Sequence, residues 1–252
     1  MIEIFILSII QGITEFLPIS SSSHLIIISN YFNFNNQNLS IDVSLHIGSF
    51  IAVIVYFKKD IFDFIKNKNL FLKIIISSIP VMIAGYILIE LNLINYFRNV
   101  EIIGWTTIIF GFLLLASDRV KTTKKVDNNF TFKSAMIIGF FQILSLIPGV
   151  SRSGITITAA RILKFNRFDS AKISFLLSIP TLAAVSFFGL KNLITVGNLD
   201  FSILNIISIF LSFIFSFITI KFFLSFIKNF SLTIFVIYRV VIGAVLLLFY
   251  YL

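Results

Sequence analysis

Residues 11–24, with the sequence QGITEFLPISSSSH, place a carboxylate, an imidazole, a proline and four consecutive hydroxyls inside an apolar run that extends from Ile4 to Ile28. Charged side chains in hydrocarbon cost roughly 2.5–3.5 kcal/mol each even on the lenient insertion scale. Unpaired polar groups also cost free energy there, and the cost rises as the surroundings become drier. Polar residues at membrane depth typically line a watered cavity enclosed by protein. The stretch therefore predicts a functional site inside a membrane-embedded fold.

The composition of the chain predicts an all-α polytopic membrane protein. Hydrophobic residues make up 58% of the 252 residues, and the mean hydropathy of +1.03 is too high for a soluble domain of this size. Only helices or closed barrels satisfy their backbone hydrogen bonds in lipid. Barrel strands would alternate apolar and polar residues, whereas runs such as 108–116 and 240–252 do not. We expect no cleavable signal peptide, because no basic segment precedes the first apolar run.

Six apolar segments are predicted to be full spans, since a span needs about 20 mostly apolar residues. They cover residues 43–57, 74–91, 102–116, 173–190, 201–224 and 232–252. The net charge of +9 lies mainly in a few loops, which indicates topology and anionic lipid headgroups and gives no reason to expect a nucleic-acid partner. The absence of cysteine excludes disulfides and thiolate chemistry.

The positive-inside rule orients these spans. The basic loops, predicted to be cytoplasmic, are 58–73, 118–133 and 161–172, and the loops predicted to be outside are 29–42, 91–101 and 191–202. Segment 1–28 then enters and leaves on the outer side, and segment 134–163 enters and leaves on the inner side. Both interrupted segments are therefore predicted to be re-entrant helical hairpins.

Spacing along the chain predicts an inverted-topology repeat within one integral-membrane domain, 1–252. The next three spans begin about 25, 56 and 84 residues after Pro18, and about 25, 53 and 84 residues after Pro148. This near-constant offset, combined with opposite sidedness, is typical of two inverted repeats. Repeat one covers about 1–117, repeat two about 134–252, and the basic cytoplasmic loop 118–133 joins them. Broken helices that meet at such an interface form binding sites.

The segment from Pro148 to Gly154, PGVSRSG, predicts an anion-binding element. A Pro-Gly break followed by serine N-cap candidates places free backbone N–H groups and the positive end of a helix dipole at one point. Arg152 adds a planar cation suited to bidentate contact with phosphate. The plainer alternative is a capped helix whose Arg152 reaches the interface or pairs with a carboxylate.

Glu15 and His24 are the candidate acid and base residues of the first hairpin. A buried glutamate can act as an acid or a base, and histidine suits proton transfer near neutrality. The intervening hydroxyls, Ser20–Ser23, offer a nucleophile and phosphate contacts. Pro18 and the serines argue against a continuous helix between the two residues. The plainer alternative is a polar plug in which Glu15 only pairs with Arg152, and His46 is interpreted as an ordinary interior histidine.

Two motifs, QGITEFLPISSSSH at 11–24 and PGVSRSG at 148–154, resemble the signatures of the undecaprenyl-diphosphatase (bacitracin-resistance protein) family. The resemblance covers essentially the whole chain. It implies a phosphatase of the bacterial cytoplasmic (inner) membrane that converts undecaprenyl diphosphate to undecaprenyl phosphate. This activity recycles the lipid carrier of peptidoglycan synthesis, supports cell wall biogenesis and cell shape, and gives bacitracin resistance. The active site would face the outer, periplasmic side, and whether the protein forms a homodimer is left open.

The resemblance also implies roles for particular residues. The catalytic residues would be Glu15, Ser21, His24 and Arg152, and the substrate-binding residues Gln11, Ser20, Ser22, Ser151, Ser153 and Gly154. A divalent cation, Mg or Ca, is implied by the resemblance and not by a ligand motif, with Glu15 as its expected contact. Whether Ser21, His24 or water attacks the terminal phosphorus stays open. Two departures stand out: Gln11 where some members have a carboxylate, and Ser23 where glycine is usual, at a turn expected to need a positive φ.

Three other classes of protein are rivals. A polyprenyl-phosphate transporter could use the same inverted-repeat site without hydrolysis, because inverted repeats with broken helices are common in transporters. Phosphatidic-acid-phosphatase-type enzymes also use Ser-x-His and Ser-Arg elements, but they carry a histidine where this chain has Thr158. A purely structural membrane protein would leave Glu15, His24 and Arg152 unexplained.

Overall fold

The computed structural model describes residues 1–32, 34, 38–66, 68–91, 93–195 and 202–252, and these residues are almost entirely helical. The α-helices are α1 Ile2–Thr14, α2 Ser21–Phe32, α3 Leu39–Tyr56, α4 Lys58–Lys66, α5 Lys68–Glu90, α6 Val100–Asp118, α7 Val126–Asn129, α8 Phe132–Ile143, α9 Arg152–Ile162, α10 Arg167–Thr195, α11 Ile203–Asn229 and α12 Thr233–Tyr251. Short 3-10 turns occur at Ile94–Phe97 and Leu144–Leu146. Parts of the predicted outer loops 29–42, 91–101 and 191–202 lie outside the described residues.

Six of these helices, α3, α5, α6, α10, α11 and α12, are long and apolar enough to cross a membrane. They coincide with the six predicted spans, which confirms the all-α polytopic fold. Four of the observed helices, α3, α5, α6 and α10, begin before the predicted spans, whereas α12 lies within the predicted 232–252. The helix α10, for example, begins at Arg167, where the side chain of Asn166 accepts a hydrogen bond from the Asp169 amide at 2.8 Å.

The basic segment predicted as a loop at 58–73 is instead helical over 58–66 and 68–73, which corrects that expectation. Its first part is α4, with the sequence KKDIFDFIK, in which apolar residues recur at helical spacing between charged ones. Ile61 of this helix packs against the main hydrophobic core. Asp60 pairs with Lys172 of α10 at 2.6 Å, so the basic segment is tied to the cytoplasmic end predicted for that span.

Both predicted hairpins are broken helices. In the first, α1 ends at Thr14 and α2 begins at Ser21, which confirms that no continuous helix joins Glu15 to His24. In the second, a 3-10 turn and an irregular segment separate α8 from α9. The residue immediately before each returning helix has a left-handed backbone, with φ of +77° at Ser20 and +69° at Ser151. The expectation of a positive φ at Ser23 is wrong, because Ser23 lies inside α2.

The contacts between helices are compatible with the predicted repeat, although the inverted relationship itself stays a prediction. The helix α1 packs on α11, and its counterpart α8 packs on α5. The spans α3 and α10, which are counterparts, pack on each other, and so do α6 and α12. The main core lies among α3, α10 and α11, where Phe175 contacts the rings of Phe16, Phe57 and Phe223.

A close contact between spans joins α3 to α11 through small residues. A Cβ atom added at Gly48 would lie 2.8 Å from Ser212 Cβ and 2.9 Å from the Phe213 amide nitrogen. At the next residue, Ser49 Oγ lies 3.2 Å from Ser212 Oγ and 2.9 Å from Ser216 Oγ. Small residues permit this approach, and the hydroxyls provide hydrogen bonds that lipid cannot replace.

We expect Gly48→Ala to lower the melting temperature of the purified protein in detergent, because the new methyl group meets the backbone of α11. The matched control is Gly85→Ala in α5, where an added Cβ would find only Leu146 Cδ2, at 3.6 Å. Alanine favours a helix interior over glycine by about 1 kcal/mol, so the control should be neutral or slightly stabilised. Equal melting temperatures for the two variants would contradict the close contact.

Candidate functional site

The two hairpin breaks meet at an ion pair between Glu15 and Arg152. Glu15 follows the last residue of α1, and Arg152 is the first residue of α9, so each break supplies one charge. Arg152 Nη2 donates to Glu15 Oε1, and Arg152 Nη1 donates to Thr181 Oγ1 at 3.2 Å. The Glu15 side chain is 6% exposed and that of Arg152 is 16% exposed. The carboxylate is therefore enclosed, while the guanidinium reaches the accessible side of the site.

Ser21 and Gln11 bind the second oxygen of the same carboxylate. Ser21 Oγ donates to Glu15 Oε2 at 2.7 Å, and Gln11 Nε2 donates to it at 2.9 Å. Ser21 is the first residue of α2, so its hydroxyl stands at a helix N-terminus. A hydroxyl that donates to a carboxylate is the geometry of a nucleophile beside a general base. The amide of Gln11 donates a hydrogen bond without adding a second negative charge.

His46 of α3 also belongs to this cluster, which the sequence analysis did not predict. Its Nδ1 accepts from Gln11 Nε2 at 3.1 Å and lies 3.9 Å from Glu15 Oε2. The histidine is therefore satisfied by a hydrogen bond, as expected, but its side chain is 26% exposed and its partner belongs to the site. The sequence does carry one indication of this role: His46 lies three residues inside the predicted span 43–57, where an imidazole is costly unless a polar group faces it.

His24 lies at the edge of the cluster and is not bonded to Ser21 or Glu15. Its Nδ1 lies 2.6 Å from the Ser20 carbonyl oxygen, and its Nε2 lies 2.7 Å from the Tyr238 hydroxyl, whose ring is stacked on the imidazole. A carbonyl can only accept, so these partners assign the proton of a neutral ring to Nδ1. The Tyr238 hydroxyl then donates to Nε2.

The remaining predicted serines mainly organise the two breaks. Ser20 Oγ lies 2.9 Å from Ser23 Oγ and 3.4 Å from the hydroxyl of Ser22, which is exposed. Ser151 caps α9 by accepting from the Gly154 amide at 3.1 Å, as predicted for an N-cap. Ser153 Oγ donates to the Leu17 carbonyl at 2.7 Å and so ties one hairpin to the other. The substrate-binding roles of these serines and of Gly154 stay predictions.

Arg239 of α12 is a central residue that the sequence analysis missed. Its guanidinium is fully buried and donates to four carbonyl oxygens, those of Pro18 at 3.2 Å, Val150 at 3.1 Å, Gly149 at 2.8 Å and Thr107 at 3.1 Å. It thus fastens both breaks to each other and to α6. The signal was an arginine in the middle of an apolar span, which is rare without a functional or structural partner.

The arrangement brings together positive charge suited to an anionic group. Arg152 and Arg239 contribute two cations against the single carboxylate of Glu15, and within the described residues Arg239 has no acidic partner. The helices α2 and α9 both begin here, which adds the positive ends of two helix dipoles. A phosphate-bearing substrate would therefore be stabilised by fixed charges and N–H groups, and a hydroxyl is in place beside it.

The fit of a divalent cation rests on two oxygen groups. In the part of the chain that the structure describes, no three His, Asp or Glu side chains form a group able to hold a metal ion. Gln11 Oε1 is, however, buried without a hydrogen-bond partner, on the same amide whose Nε2 donates to Glu15. Mg²⁺ commonly binds through one or two carboxylates plus substrate phosphates rather than an all-protein cage. Glu15 and Gln11 fit that mode of binding.

Comparisons with known proteins show the family of this chain. A family model described as "Bacitracin resistance protein BacA" matches residues 4–245. A protein named undecaprenyl-diphosphatase from Pelagibacter ubique (strain HTCC1062) is 53% identical over 251 residues, which cover 99% of this chain and 98% of that protein. Another protein of that name, from Hahella chejuensis (strain KCTC 2396), is 42% identical, with 99% and 98% covered. The chain belongs to the BacA family of bacitracin resistance proteins.

Proposed function

We propose that the protein is a membrane phosphatase that hydrolyses undecaprenyl diphosphate to undecaprenyl phosphate and inorganic phosphate. Membership of the BacA family and full-length identity to proteins named undecaprenyl-diphosphatase support this function over the transporter alternative. The observation that carries it is the convergence of Arg152 and Ser21 on Glu15 where two helices begin. The product is the lipid carrier of peptidoglycan synthesis, and its recycling gives bacitracin resistance.

In the proposed mechanism, the substrate replaces the Glu15–Arg152 ion pair with a contact between Arg152 and the diphosphate. Phosphoryl transfer depends mostly on positioning and charge neutralisation, and Arg152, Arg239 and the helix N-termini supply both. Glu15, released from Arg152, accepts the proton of Ser21 Oγ, which already donates to it at 2.7 Å. The Ser21 oxygen then bonds to the terminal phosphorus, and undecaprenyl phosphate leaves as the bridging P–O bond breaks.

Water completes the proposed cycle by hydrolysing the phosphoserine, and we assign the assisting base to His24. Its neutral ring has a lone pair at Nε2 that becomes available when the Tyr238 hydroxyl moves away. His46 Nδ1, which accepts from Gln11 Nε2, would hold that amide beside the Glu15 carboxylate. Ser20, Ser22, Ser151 and Ser153 would contribute hydroxyl or backbone N–H contacts to the diphosphate.

We also propose that a divalent cation, Mg or Ca, takes part when the substrate is bound. Glu15 and the unpartnered Oε1 of Gln11 would hold it together with oxygens of the diphosphate. Such an ion would neutralise charge on the diphosphate. This chain would contribute one carboxylate, from Glu15, and one amide oxygen, from Gln11. An amide oxygen at position 11 would thus take the place of the carboxylate that some family members have there.

The protein is a multi-pass membrane protein, and we propose that it lies in the bacterial cytoplasmic membrane with its site open to the outer side. The positive-inside rule supports this orientation, because Lys and Arg are abundant in the segments 58–73, 118–133 and 161–172. With that orientation the first hairpin enters from the outer side and carries Glu15 and Ser21 to the centre of the bundle.

Glu15→Gln and Arg152→Ala should each lower phosphate release from farnesyl or undecaprenyl diphosphate by at least about 100-fold, because the base or the phosphate-binding cation is lost. Phosphate would be measured with purified protein in detergent and Mg²⁺ or Ca²⁺. Arg98→Ala, which removes an exposed cation, is the matched control and should retain activity. Folded Glu15 and Arg152 variants as active as the wild type would refute the proposed site. A wild-type protein that releases no phosphate would favour the polyprenyl-phosphate transporter instead.

Ser21→Ala should lower the rate of phosphate release by at least about 100-fold, because it removes the hydroxyl bonded to Glu15. Ser22→Ala is the control in the same serine run: Ser22 is not bonded to Glu15, and its loss should cost no more than roughly tenfold through a phosphate contact. Acid-quenched wild-type protein given terminally ³²P-labelled substrate should carry label that Ser21→Ala lacks. Full activity of Ser21→Ala would instead assign the attack to water or His24.

Arg239→Met should lower both the melting temperature and phosphate release, because four carbonyl oxygens lose their donor. Each buried polar group left unsatisfied costs about 1–3 kcal/mol. Lys221→Met in α11 removes a cation from a neighbouring span at an exposed position and should change neither quantity. Arg239→Lys should not restore the wild-type values, because an ammonium presents three donors from one atom and cannot match the guanidinium fork.

A further inference from the structure

A basic pocket lies at the far end of α9 from the phosphatase site. It is an open cavity of about 670 Å³. Its lining comes from the segment after α6, the ends of α9 and α11 and the start of α10: Val120, Lys121, Thr122, Arg161, Asn166, Arg167, Phe168, Ile227 and Lys228. Four of these side chains are cationic, and no lining side chain is acidic. Arg161 follows Arg152 by nine residues, or about 14 Å along the helix axis, so the pocket is separate from the phosphatase site.

The buried floor of the pocket is Arg161, which is 3% exposed. Its Nη1 donates to the Phe165 carbonyl at 2.7 Å, and its Nη2 donates to the carbonyls of Asp118 at 2.8 Å and Val120 at 2.9 Å. These bonds fix the guanidinium plane. Its Nε, however, is buried without a hydrogen-bond partner and lies 3.6 Å from an Asp118 carboxylate oxygen, beyond hydrogen-bond distance. The guanidinium is therefore held in place by carbonyl oxygens, and its Nε faces Asp118 as an ion pair without a hydrogen bond.

The carboxylate of Asp118 lies between Arg161 and Arg167 and pairs with both. Asp118 accepts two hydrogen bonds from Arg167, at 2.7 and 2.9 Å, and a third from the Leu232 amide at 3.1 Å. This geometry consumes both carboxylate oxygens and leaves Arg161 without a hydrogen bond from them. Lys121 and Lys228 then add two exposed cations at the rim, and the ammonium of Lys228 lies 4.8 Å from the centre of the Phe168 ring. The pocket therefore carries positive charge in excess of the acidic groups that the structure places around it.

We propose that this pocket binds a phosphate group, either the phosphodiester of an anionic lipid headgroup or soluble phosphate. Fixed guanidinium groups and mobile ammonium groups together suit a tetrahedral oxyanion. Basic pockets between transmembrane helices on the cytoplasmic side bind anionic headgroups, and the positive-inside rule assigns this end of the bundle to the cytoplasm. Phe168 and Ile227 supply apolar surface that the glycerol and upper acyl portion of a lipid can contact.

The test compares two double variants of the full-length protein, each of which removes two positive charges. The pocket variant is Lys121→Gln with Lys228→Gln, and the control is Lys125→Gln with Lys133→Gln, which are exposed lysines outside the pocket. All four positions are exposed, so both variants should fold and keep the phosphatase activity of the wild type. Binding of phosphatidylglycerol, phosphatidylcholine and inorganic phosphate to delipidated protein would be measured by native mass spectrometry.

We expect the pocket variant to bind phosphatidylglycerol about tenfold or more weakly than the control, and phosphatidylcholine to bind all three proteins alike. Each basic residue at an anionic surface contributes enough for a several-fold change in affinity. A loss confined to inorganic phosphate would also support the site and identify its ligand as the soluble ion. Equal affinities of the two double variants for both anions, or no binding of either anion by the wild type, would overturn the proposal.

Discussion

The guanidinium of Arg239 resolves the main physical difficulty of this fold. A helix that breaks inside a membrane exposes carbonyl oxygens that neither lipid nor its own turns can satisfy. Here both breaks direct carbonyls at one buried cation, those of Pro18, Gly149 and Val150. The same cation holds α12 against α6 through Thr107. The hydrogen bonds between this cation and the carbonyls therefore offset both the cost of burying the charge and the cost of breaking two helices. They can form only where the two hairpins meet.

The site that results is electrostatically incomplete without a substrate. Glu15 is matched by Arg152, whereas the charge of Arg239 is balanced only by carbonyl dipoles among the described residues. A diphosphate would supply the compensating negative charge. The same substrate would also separate Arg152 from Glu15 and so release the carboxylate beside the hydroxyl of Ser21. In the proposed mechanism, substrate binding and activation of the nucleophile would be coupled through this one ion pair.

The sequence was sufficient to predict the six spans and the two hairpin breaks, because apolar runs of membrane length and their polar interruptions are local signals. It also placed Glu15, Ser21 and Arg152 together through the predicted repeat. Arg239 and His46 were missed because their importance comes from partners more than 30 residues away in the chain. The helix α4 was missed for a related reason: its charged residues resemble a loop, and the packing of Ile61 against the core is not visible in the local sequence.

The left-handed backbone at Ser20 and Ser151 narrows which mutations these positions can accept over evolution. Both residues need a φ near +70°, and both hydroxyls make hydrogen bonds at the start of a helix. Threonine carries the same hydroxyl, but a β-branched side chain is strongly disfavoured at positive φ. Asparagine and glycine tolerate the backbone, although glycine has no acceptor for the cap. Sequence drift at these two positions is therefore limited by backbone geometry before phosphate chemistry is considered.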